Sequence, residues 1–172
     1  MGTQLRDGRA TMNSELVLQW FERGEASWLG ALIRDSVWLF PVIEAVHLLG
    51  LCLLGGAVLL VDLRLLGLGL RNYPTALIAR GALPWLRAGV IVMLTSGFLL
   101  FISEAVKCFH NPSFWVKMST LPFALVFTLV VKQQLAVRQP EIALWLSRVL
   151  ATVSLALWFT VAMAGRWIGF SS

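Results

Sequence analysis

Long apolar runs alternate with short polar joints along the chain, and four of the runs are long enough to cross a bilayer. They cover 38–66, 85–106, 114–131 and 142–168, against the roughly 20 apolar residues a spanning helix needs. The first run exceeds that length, so it is expected to tilt or protrude. Pro84, Pro112 and Pro140 fall at or just before three of the expected helix starts, where a missing N–H costs nothing. Asn111-Pro112 reads as an N-cap followed by a first-turn proline. No internal repeat is visible.

Ahead of the spans, residues 1–13 are polar and expected to be disordered, and Met12 is a second possible start. Residues 14–35 hold two short amphipathic stretches. Leu16, Val17, Trp20 and Phe21 share one helical face, with Asn13 or Ser14 as a cap; Trp28, Leu29, Leu32 and Ile33 repeat the spacing. Both are too short to span, so they are expected to lie at the interface or to pack on the bundle as a lid. The expected fold is all-α and integral to the membrane: a four-transmembrane-helix bundle over 36–170 with one or two short N-terminal amphipathic helices.

Composition agrees. The chain is 58% hydrophobic and 13% charged, where a soluble domain averages about 25% charged residues. The net charge of +5 is read as topological, and nucleic acid is excluded because no basic patch interleaves with exposed aromatics. The joint around Arg64, Arg71, Arg80 and Arg87 holds only Asp62 as an acid, and that around Lys132 and Arg138 only Glu141. The N-terminal region instead mixes Arg6, Arg9, Arg23 and Arg34 with five acids. The positive-inside rule then puts both basic joints in the cytoplasm and both termini on the periplasmic side of a bacterial inner membrane. A small bundle with glycine-bearing helix faces is expected to form a homo-oligomer. Cys52 is expected to pack inside and Cys108 to be exposed, at depths too different for a disulfide.

The candidate chemistry lies in Glu44-Ala45-Val46-His47-Leu48-Leu49-Gly50 and in the second of the two histidines, His110. An ionisable residue within a span marks a functional site by default. Counting back about 20 residues from Arg64 puts Glu44 at the outer interface and His47 about one turn below it. Counting forward from Arg87 puts Lys107 at that interface and His110 just beyond, so the two histidines come to nearly the same level.

Two histidines at one level are a ligand set for haem b. In this reading His47 and His110 are the axial ligands, and Gly50 and Gly97 let a flat macrocycle approach. Lys107, Lys117 and Arg166 pair with the propionates. Met163 is an alternative axial ligand or a packing residue. The protein would transfer electrons, with quinone or a periplasmic redox protein as partner. A second reading is a metal-handling protein in which Glu44, His47, Glu104 and His110 hold copper or another divalent ion. A full di-iron site would need a second Glu-x-x-His copy and further glutamates, which the chain lacks. A third is a structural subunit of a membrane complex, with no cofactor. No arrangement of Ser, Cys and His suits hydrolysis, and no glycine-rich phosphate loop is present.

Three patches carry a resemblance. They are Ile33-Arg34-Asp35-Ser36 leading through Trp38 and Phe40-Pro41 into the Glu44–Gly50 stretch, then His110-Asn111-Pro112-Ser113-Phe114, then Ala164-Gly165-Arg166-Trp167-Ile168. Over about residues 25–170 the pattern resembles a family of small bacterial four-helix membrane proteins with no assigned function and a first-helix E-A-x-H-x-x-G signature. More distantly it is similar to the copper-resistance D and cytochrome b561-type proteins. That likeness implies haem b or copper at the intramembrane histidines, which map onto His47 and His110. Two histidines rather than four limit the chain to one bis-His haem.

Overall fold

The computed structural model describes residues 2–132, 135 and 143–170, with 2–13 as backbone only. Among these residues the regular structure is all helical, with short joints between the helices: α1 (Gly2–Glu25), α2 (Trp28–Asp35), α3 (Leu39–Leu66), α4 (Thr75–Ser103), α5 (Ala105–His110), α6 (Pro112–Val126) and α7 (Leu144–Phe170). A π-helical turn, Phe127–Lys132, continues α6.

Four helical stretches are long and apolar enough to cross a membrane: Leu39–Leu66, Thr75–Ser103, Pro112–Lys132 and Leu144–Phe170. At most 33% of any one of their apolar windows is buried inside the protein, so most of that surface needs a hydrocarbon solvent. Trp38, Phe123 and Phe159 are all more than two-thirds exposed. The chain is a multi-pass, all-α membrane bundle.

The second span begins ten residues earlier than the proline pattern predicts. Pro74 occupies its N-cap, while Pro84 lies inside the helix. Ile78, Ala79 and Ala82 on the first turns are buried against α3, and that packing carries the helix through the proline; Arg80 points outward on the opposite face. At the other end Glu104 leaves helical geometry (φ −137°, ψ 42°), so α5 starts afresh. Asn111 does cap α6, its Oδ1 accepting the Ser113 N–H at 2.9 Å, with Pro112 in the first turn. Pro140, Arg138 and Glu141 lie outside the described residues.

The spans form an open arc. α3 packs along α4 and α7, and α7 packs along α6, whereas α4 and α6 share no comparable contact. Leu54, Val58, Val61 and Leu65 of α3 meet Leu86, Ala82, Ala79 and Ile78 of α4, with Ala151 of α7 closing the core. The α3–α4 approach depends on two glycines: a Cβ at Gly89 would lie 2.8 Å from the Leu54 nitrogen, and one at Gly50 2.8 Å from Val92 Cγ1. Gly50 is therefore a packing position between helices. The cysteines reverse the expectation: Cys52 is exposed on the outside of α3 and Cys108 is buried in α5, and both are free.

The N-terminal helices dock on the bundle. α1 is helical from Gly2, where the polar composition predicts disorder. Extending an existing helix is far cheaper than nucleating one, and 2–13 contains no proline to stop it. Ser27 caps α2, accepting the Gly30 N–H at 3.2 Å and donating to the Gly24 carbonyl at 2.6 Å. Glu25 accepts the Val106 N–H of α5 at 2.7 Å and pairs with Arg34 at 3.2 Å. Phe21 enters an aromatic group, with Phe101 at 5.2 Å, Phe109 at 5.3 Å and Phe114 at 6.1 Å between ring centroids.

Candidate functional site: an apolar cavity around His47

The gap left by the open arc is a cavity of about 500 Å³. Its walls are mainly apolar, from Leu51 and Leu54 of α3 through Phe101 of α4 and Phe114 of α6 to Trp158 and Val161 of α7. Polar groups are few: Glu44, His47, Glu104, Cys108, Lys117 and Arg166. An apolar pocket with a few convergent polar groups is the usual form of a small-molecule site. Phe101 and Phe114, stacked at 5.5 Å, also contact Phe21, so the N-terminal helix closes over this wall.

His47 is fixed in orientation. Its Nδ1 lies 2.9 Å from Ser96 Oγ on α4, and the Ser96 hydroxyl donates its one proton to the Val92 carbonyl. Ser96 must then accept from His47, which places the proton of a neutral imidazole on Nδ1. Nε2 is left with its lone pair and, among the described residues, no hydrogen-bond partner. Metal-binding imidazoles are oriented by this kind of outer bond on the second nitrogen. Gly97 lines the cavity and lets the ring approach α4 closely, since a Cβ there would sit 3.1 Å from His47 Cε1.

Two cations face the same space. Lys117 reaches across to α7, its Nζ 3.3 Å from where a Cβ of Gly165 would stand, and it makes no ion pair among the described residues. The Arg166 guanidinium stacks over the Phe170 ring at 4.4 Å. Lys107 is elsewhere, paired with Glu104 at 3.6 Å and outside the lining. Burial, followed by the neighbouring Glu104 carboxylate, pushes the Cys108 thiol up to about 11, so it stays protonated at neutral pH.

The histidines are not brought together. His110 ends α5 exposed, its ring edge-on to Phe109 at 5.1 Å, and it does not line the cavity. Glu44, His47 and Glu104 share the wall, yet among the described residues no three His, Cys, Asp or Glu side chains converge as a metal site. Met163 is 45% exposed on the outer surface. Met93 and Met118, which the sequence pattern did not single out, line the cavity instead.

A second polar cluster lies toward the other end of the bundle, and sequence reasoning missed it. Lys132 Nζ donates to Asp62 Oδ1 at 3.0 Å and to Ser154 Oγ at 2.9 Å, while Ser154 Oγ donates to Asp62 Oδ2 at 2.7 Å. Asp62, Lys132 and Ser154 are at most 1% exposed. One turn away along α7, Trp158 donates to Thr128 Oγ1 at 2.9 Å.

Residues 20–171 match DUF6644, a family of unknown function, and the chain belongs to that family. No curated protein and no solved structure matches the chain at a significant level.

Proposed function

We propose that this member of the DUF6644 family binds one haem b in the cavity and serves electron transfer. His47 Nε2 is the protein's ligand to the iron. The observation that carries the reading is the unengaged Nε2 of an imidazole locked by Ser96, on the wall of an apolar cavity of about 500 Å³ that also presents Lys117 and Arg166. A flat apolar body bearing carboxylates fits that combination. Haem supplies one-electron redox chemistry when bound.

The chain's own residues have separate tasks. Ser96 holds the imidazole tautomer and ring plane. Lys117 and Arg166 balance carboxylate charge in a medium where an unpaired charge is costly, and Arg166 gives planar, bidentate recognition. Phe101 and Phe114 exclude water, with Phe21 packed behind them. His110 has no ligand role in this arrangement. Electrons are exchanged with quinone in the bilayer or with a periplasmic redox protein, the protein sitting in a bacterial inner membrane with both termini periplasmic.

A copper reading is favoured by one observation: Met93, Met118 and Cys108 share the wall with His47, and soft sulfur donors select Cu(I). A dithionite-reduced minus oxidised spectrum, with metal analysis on the same sample, separates the two. Haem b bands near one per chain, lost in His47→Ala and kept in His110→Ala, support haem. Stoichiometric copper without a Soret band supports the second reading. Neither haem nor copper in well-folded protein removes both.

A further inference from the structure

Asp62, Lys132 and Ser154 form a closed ring of hydrogen bonds inside the bundle, with an ammonium, a hydroxyl and a carboxylate each linked to the other two. The ring is fully enclosed by protein. Burying such a pair gains little over an apolar filling of the same volume, whereas ionisable groups inside membrane spans recur as proton-handling sites. We infer that this triad is a proton-binding site that toggles between an ion pair and a neutral acid–amine pair.

The geometry supplies the transfer path. One Lys132 N–H proton passes along the 2.9 Å bond to Ser154 Oγ as the Ser154 hydroxyl proton passes along the 2.7 Å bond to Asp62 Oδ2. One N–H bond breaks and one O–H bond forms at Asp62. Serine ends with the same number of protons, and the net charge of the triad is unchanged. The neutral form avoids the desolvation cost of two buried charges. In that neutral form the base left open is the Lys132 amine, and one proton taken up there from water leaves a protonated Asp62 beside an ammonium, so the triad gains one positive charge.

Among the described residues, the other charges on the packed elements make no contact with the ring. Arg64 of α3 donates to the Tyr73 carbonyl at 2.8 Å, and Arg80 and Arg87 of α4 and Arg148 of α7 are not buried beside the ring but exposed. Lys132 is the last residue of the π-helical turn and is buried there, and such turns recur at functional sites. The inference is independent of what occupies the cavity.

The test leaves the triad intact. The chain has three aspartates, Asp7, Asp35 and Asp62. With Asp7→Asn and Asp35→Asn, carboxyl-13C aspartate labels Asp62 alone. Infrared spectra of this full-length protein in nanodiscs, taken across pH in H₂O and D₂O, are expected to show a labelled acid C=O band. That band should shift down in D₂O and grow as pH falls, at the expense of the labelled carboxylate band. A label that stays wholly carboxylate, or wholly acid, wherever circular dichroism shows the fold intact would overturn the proposal and leave the triad a fixed structural pin.

Discussion

His47 Nδ1 and Ser96 Oγ stand 2.9 Å apart across the α3–α4 interface, with the serine proton already directed at the Val92 carbonyl. One hydroxyl thus decides which imidazole nitrogen carries hydrogen and which faces the cavity. Ser96→Ala removes that decision without removing His47. Outer-shell changes of this kind typically weaken metal affinity about 10–100-fold. Haem titration of the purified variant should show such a loss, with a melting temperature near wild type.

Gly97→Val tests the cavity itself. The new side chain starts 3.1 Å from His47 Cε1, so the ring must swing away from α4. The helix tolerates the change, because a β-branched residue in an apolar span carries little propensity penalty. Binding should vanish while circular dichroism and thermal stability are retained. Retained binding would remove His47 from the site.

The buried pair makes a stability prediction with a built-in control. Lys132→Met leaves Asp62 without its cation, and breaking a buried pair this way costs about 3–5 kcal/mol. Asp62→Asn with Lys132→Met leaves no charge unpaired and should recover most of that loss. Denaturation in mixed detergent micelles would read both. Equal destabilisation in the single and double variants would show that the ionic contact is not the determining one.

Cys108 yields a pH prediction. Burial pushes its thiol up to about 11, above the ordinary cysteine value, so the reactive thiolate is scarce at neutral pH and becomes more abundant as pH rises. In a Cys52→Ser background the alkylation rate should climb about tenfold per pH unit between pH 7 and pH 10, without a plateau. Levelling off near 8.5, the value of a free thiol, would contradict the buried placement.

Glu25→Ala should loosen the N-terminal helices. It removes the acceptor of the Val106 N–H and the partner of Arg34, at a cost of about 1.5 kcal/mol for a charged hydrogen bond. Faster deuterium uptake across residues 14–35, with the spans unchanged, is the expected signature.

The spans were legible because 3.6-residue helices and hydrocarbon thickness leave the same mark in any sequence: a long apolar run with charged ends. The start of α4 was not, because Pro84 carries the same signal as Pro74 and only packing against α3 decides between them. Glu44, His47, Lys117 and Arg166 were found by their depth, and they do share the cavity. His110 was paired with His47 by the same counting, but counting along a helix gives height and says nothing of direction around the axis. Ser96 was hidden as an ordinary helix serine. Asp62 and Lys132 look like topology markers at the membrane edge, since 70 residues separate them and no spacing rule links them.

The open arc α4–α3–α7–α6 also constrains biogenesis. The polar partners of the third span's lysine lie on the first and the fourth, since Lys132 bonds Asp62 of α3 and Ser154 of α7. That lysine leaves the ribosome 22 residues ahead of the serine it bonds. The third span therefore enters lipid with an ammonium at its end that is incompletely satisfied, held near the interface until its successor arrives. Insertion of the last two helices as a hairpin, rather than one at a time, is the route this arrangement favours.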